Sequence, residues 1–147
     1  MSADEKVAKD LVETLKDGRA GFAAAAEKLR DSDQPQLAET MQRFSDQRAR
    51  FAGQIVELGH EYGDDVDESG SLAASLHRGW LKMKDAVTGD DAGAVLGAAS
   101  TGEDHAVSEY EKALKEDLSD GFRAVVQQQH RDIVGAREEI KALSAAS

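Results

Sequence analysis

Apolar residues recur every three to four positions through most of the chain, and this spacing predicts four long amphipathic helices. The first, from about Asp4 to Arg30, sets Val7, Leu11, Leu15, Phe22, Ala25 and Leu29 on one side. Asp31-Ser32-Asp33-Gln34 ends it, and Pro35 suits the first turn of the next. The second, from about Pro35 to Tyr62, carries Leu37, Met41, Phe44, Phe51, Ile55 and Leu58 and stops at Gly63-Asp64-Asp65. In the third, from about Asp90 to Glu116, the apolar arc holds Leu96, Ala99, Val107, Tyr110 and Leu114. The fourth, from about Ser119 to Ser144, carries Phe122, Val125, Val126, Ile133, Ile140 and Leu143, with Ser119 suited to its N-cap. No stretch alternates with period two. The expected fold class is all-α, with one domain over residues 1–147.

The links set the topology. Short turns after the first and third helices make each an antiparallel neighbour of its successor. Between the second and third, residues 63–89 carry a further helical pattern from about Ser71 to Val87, with Leu72, Leu76, Trp80, Met83 and Val87. Such a helix covers roughly 25 Å, so the third helix can begin at the end where the second began. This predicts a ferritin-like four-helix bundle with one long crossover. A plain series of hairpins is the alternative if the extra helix caps one end.

Four positions break the apolar arcs. Glu103 lies mid-arc on the third helix, Arg48 between Phe44 and Phe51, and Gln129 between Val126 and Ile133, while Gly18 holds the midpoint of the first. An unpaired buried carboxylate costs several kcal/mol, so Glu103 must be paired, metal-bound or protonated. A glycine inside a helix costs up to about 1 kcal/mol relative to alanine, so packing should explain Gly18. Placed at one height, the four make a buried polar layer. Arg48 pairs with Glu103 through its planar fork of donors, Gln129 satisfies the remaining hydrogen bonds, and Gly18 leaves room for the guanidinium.

Such a layer can serve only to fix register and topology. It can also be a metal or small-ligand site. A di-iron bundle needs one Glu from each of two helices and a Glu-x-x-His from each of the others. Here one inward carboxylate is evident, and Arg48 sets a positive charge where a cation would bind. The Glu57 to His60 pair points away from the arc and lies roughly 15 Å from Arg48 along the helix, as a surface feature would. His105 is opposite the buried arc, and His77 belongs to the connecting segment. His130 flanks Gln129 and, with Gln127 three residues earlier, resembles a Glu-x-x-His whose acid has become an amide. If iron or another divalent metal binds, Glu103 and His130 are its candidate ligands; otherwise no cofactor is expected.

Charge narrows the function classes. With 18 basic and 29 acidic residues, the net charge of -11 repels phosphate backbones and anionic lipid, so no nucleic-acid or membrane partner is expected. The chain has no cysteine, which excludes disulfides, thiolate metal sites and thiol catalysis. Met1 to Lys9 has no apolar signal core and no long apolar run follows, so a cytoplasmic location is expected.

Leu-Val-Glu-Thr-Leu-Lys-Asp-Gly from Leu11, Asp-Gln-Arg-Ala-Arg-Phe-Ala from Asp46, Gly-Ser-Leu-Ala-Ala-Ser-Leu-His-Arg-Gly-Trp from Gly70 and Gly-Glu-Asp-His-Ala-Val-Ser-Glu-Tyr from Gly102 resemble the bacterial four-helix-bundle family of the domain of unknown function 2383. The resemblance covers nearly the whole chain and implies a ferritin-like, one-crossover bundle. It implies no activity. Ferritins and rubrerythrins carry carboxylates where this chain has Gly18 and Arg48, so iron oxidation or storage does not carry over. Trp80 is expected to dock its indole on the bundle. The expected role is non-catalytic, either structural, interaction-based or stress-related, in a homodimer. The alternative is a metal-binding ferritin-like oxidoreductase or iron-binding protein with a degenerate site.

Overall fold

The computed structural model describes residues 3–59 and 92–146. These form four α-helices with no strand among the described residues: α1 (Ala3–Asp31), α2 (Pro35–Gly59), α3 (Ala92–Leu114) and α4 (Asp120–Ala146). Each lies within about two residues of the span its apolar spacing predicts, except that α2 is described only to Gly59. The helix expected near Ser71 to Val87, with His77 and Trp80, lies outside the described residues, as does His60.

The α1–α2 turn closes α1 by local chemistry. Gln34 N–H bonds the Leu29 carbonyl at 2.9 Å and Asp33 N–H the Arg30 carbonyl at 3.2 Å, the paired bonds of a Schellman motif. Asp33 takes the left-handed position at φ 61°. Pro35 then opens α2, where its missing N–H costs nothing. At the other end of the bundle, Ser119 sits just before α4. Its backbone N–H donates to Asp4 Oδ1 at 2.9 Å and its hydroxyl to Asp4 Oδ2 at 2.6 Å, tying the first turn of α1 to the α3–α4 turn.

α1 packs along both α2 and α3, and α3 packs along α4, whereas α2 and α4 barely touch. α2 and α3 therefore lie across the bundle from one another. Apolar side chains fill two core halves. Leu11, Leu15, Phe51, Val107, Phe122 and Val126 belong to the half near the α3–α4 turn. Phe22, Leu29, Met41, Phe44, Leu96 and Ile140 belong to the half near the α1–α2 turn. The C-terminal part of α2 shares a half with the C-terminal part of α3, so these two helices run in the same direction. The end of α2 and the start of α3 consequently lie at opposite ends of the bundle. Leu37, Leu58, Leu114, Val125 and Leu143, expected in the core, are only partly buried at its edges.

Candidate functional site

Between the two core halves lies the Arg48 and Glu103 pair. α2 carries Arg48 inward between Phe44 and Phe51, and α3 carries Glu103 inward between Ala99 and Ala106. Arg48 Nη1 donates to Glu103 Oε1 at 2.5 Å and Nη2 to Oε2 at 2.6 Å, a two-pronged contact with both side chains about 1% exposed. The third face of the guanidinium is also used. Arg48 Nε donates to Gln47 Oε1 at 3.1 Å. The guanidinium carbon lies 5.1 Å from the centre of the Phe22 ring, which itself packs at 5.5 Å against Phe44. A cation over an aromatic face gains further attraction when desolvated.

Gly18 faces this pair from α1. A β-carbon built there would stand 3.5 Å from Arg48 Cγ and 3.6 Å from Nη1, ordinary contact distances. The glycine therefore leaves a shallow space beside the guanidinium, but Arg48 does not require it to be empty. Next to it, Ser45 Oγ–H donates to the Arg19 carbonyl at 2.8 Å, binding α2 closely to α1 at this level.

Gln129 is buried, but it does not complete the hydrogen bonds of the pair. Its Oε1 accepts from the Tyr110 hydroxyl at 2.7 Å, and its Nε2 donates to Gln54 Oε1 at 2.8 Å and to the Phe51 carbonyl at 3.3 Å. Cross-helix contacts account for its different level. Glu111 with His130, Asp104 with Arg137 and Ser100 with Lys141 set the α3–α4 register. That register puts Glu103 level with the stretch from Ala136 to Glu138, two turns or more, roughly 10–14 Å, beyond Gln129. Equal apolar spacing on four helices fixes which residues face inward, whereas their relative height depends on the turn. The residues opposite Glu103 therefore lie well beyond Gln129 along α4, whereas midpoint counting sets the two level.

His130 and Glu103, the candidate metal ligands, do not converge. The His130 ring faces Glu111, with Nε2 3.6 Å from its carboxylate, and Glu103 is held by Arg48. Among the described residues, no group of three or more His, Asp or Glu is placed to hold a metal ion. His105 and Glu57 are exposed. Burial pushes the Tyr110 hydroxyl well above the usual tyrosine range, with Arg48 opposing and Glu103 adding to the shift. The sequence pattern placed Tyr110 among the apolar residues, and its phenol ring does pack there; its hydroxyl partner was not readable. Phe22 and Gln47, the other contacts of Arg48, carry one signal each. Phe22 lies one turn from Gly18, and Gln47 is the neighbour of Arg48 in sequence.

Residues 5–116 match the family model described as Domain of unknown function (DUF2383). The chain belongs to this family. The DUF2383 match takes in Gly18, Arg48 and Glu103 but stops before α4, so Gln129 and His130 lie outside it. The resemblance thus covers α1 to α3 rather than nearly the whole chain. No curated protein matches this DUF2383 chain. No helix among its described residues is long and apolar enough to cross a membrane.

Proposed function

We propose that this chain is a non-catalytic, ferritin-like bundle with a structural or protein-interaction role, in which an internal ion pair occupies the centre that a di-iron relative would give to metal. The observation that carries this reading is the two-pronged contact between Arg48 and Glu103. Both carboxylate oxygens are engaged by a fixed cation, and a metal would have to displace a guanidinium from a site closed to water. The parallel run of α2 and α3 supports the single-crossover, ferritin-like topology. A cytoplasmic homodimer acting under stress in a bacterium is the setting we infer, with the acidic surface keeping the bundle soluble.

Elemental analysis tests the reading. Protein purified without chelators, then loaded anaerobically with ferrous iron, manganese or zinc, should carry far less than one metal per chain. Stoichiometric metal that is lost in Glu103→Gln would overturn it and favour the degenerate oxidoreductase. Sedimentation of the full chain tests the dimer.

A further inference from the structure

The weak contact between α2 and α4 leaves a groove of about 490 Å³ in the core half near the α3–α4 turn. This lies within the range of small-ligand sites, roughly 300–1,000 Å³. Phe51, Leu58 and Val125 give it an apolar floor. Two hydrogen bonds cross that floor, a part-buried one from Gln129 Nε2 to Gln54 Oε1 at 2.8 Å and a buried one to the Phe51 carbonyl at 3.3 Å. The Tyr110 hydroxyl fixes Gln129 from behind, so its amide is held in one orientation before any ligand arrives.

The described lining of the groove carries one sign of charge. Glu57 and Asp132 stand on opposite walls, and among the described residues that line it none is basic. Arg131, next to Asp132 in sequence, is held by Gln128 Oε1 at 2.7 Å and does not line the groove. A net charge of -11 draws cations toward such a cleft. The cross-groove bonds of Gln129 keep the walls within side-chain reach of each other. That leaves a slot for a flat ring rather than a bed for a partner helix, about 10 Å across.

We propose that the α2–α4 groove binds a small organic cation with a flat apolar body, its ring on Phe51, Leu58 and Val125 and its ammonium between Glu57 and Asp132. Naphthylmethylammonium is the probe, with naphthalenemethanol as its neutral analogue and naphthoate as its anionic one. Titration of the full chain, followed by calorimetry and by NMR of the Gln129 side-chain amide and the Val125 methyls, should give saturable one-to-one binding of the ammonium. The alcohol should bind roughly tenfold more weakly and the carboxylate more weakly still. In Glu57→Gln/Asp132→Asn, both at the groove rim, the fold should persist by circular dichroism, and the ammonium and alcohol should bind within about twofold of each other. The proposal fails if binding does not saturate, if the shifts lie outside the groove, or if the folded double variant keeps its preference for the ammonium. Groove signals that move on dilution without ligand would instead mark contact with a second copy, and would equally overturn it.

Discussion

Arg48 and Glu103 join helices that lie across the bundle from each other, so their contact passes through the centre rather than along a seam between neighbours. A pair in that position constrains two helical hairpins at once. It discriminates between registers, because sliding either helix by one turn would leave a charge facing apolar side chains. Buried pairs are weak sources of net stability but expensive to break.

Glu103→Gln should therefore destabilise the fold by roughly 3–5 kcal/mol, since it leaves the Arg48 guanidinium buried against a neutral partner. Arg48→Met combined with Glu103→Leu removes both charges and should cost far less than the summed single changes. Urea denaturation with a double-mutant cycle measures this. A double variant at least as unstable as that sum would show that the two charges do not act as a pair.

Gly18 offers a separate test of the packing around Arg48. A β-carbon at this position meets Arg48 at ordinary contact distance, so Gly18→Ala should stabilise α1, by up to about 1 kcal/mol, through helix propensity. Gly18→Leu would push into the guanidinium and should cost about 1–3 kcal/mol. Thermal unfolding of the two variants distinguishes a site that tolerates one carbon from one that needs none.

Inward-facing positions are readable from sequence because helical periodicity is local: Val7, Phe22, Met41, Leu96 and Ile140 all fall in the core as their spacing predicts. The polar residues Arg48, Glu103 and Gln129 are likewise buried as their arcs require. What periodicity cannot supply is height. Gln129 and Glu103 share an inward direction but not a level, since the offset between α3 and α4 is set by the geometry of residues 115–119. Hydrogen-bond partners depend on that offset, which is why Tyr110 and Gln54, rather than Glu103, turn out to satisfy Gln129. The helix and the indole anchor expected near Trp80 lie outside the described residues.

Asp33 gives a prediction at the edge of the fold. It holds a left-handed backbone conformation at the C-terminal cap of α1, where a β-carbon is disfavoured and glycine is not. Asp33→Gly should raise stability by about 0.5–1 kcal/mol, with no effect on the Arg48 and Glu103 contact. Equilibrium unfolding gives the first quantity. The second follows from combining it with Glu103→Gln, where the two effects should add.

Tyr110 couples the core to alkaline pH. Its hydroxyl is buried, donates to Gln129 Oε1, and is pushed above the ordinary value of 10.0 chiefly by burial. Above that value the unfolded chain loses the phenolic proton while the folded chain retains it, so unfolding releases a proton and stability must fall as pH rises. The folded bundle should not form tyrosinate at Tyr110; ionisation should wait for unfolding. In Tyr62→Phe, where Tyr110 is the remaining tyrosine, near-ultraviolet tyrosinate absorbance should therefore rise in step with the loss of helical circular dichroism. Tyrosinate appearing near pH 10 in a fully helical protein would contradict the buried hydrogen bond. Tyr110→Phe supplies the complementary reading. It removes the donor to Gln129 and should cost about 1–2 kcal/mol at neutral pH, yet it should flatten the alkaline decline, because the group that titrates only on unfolding is gone.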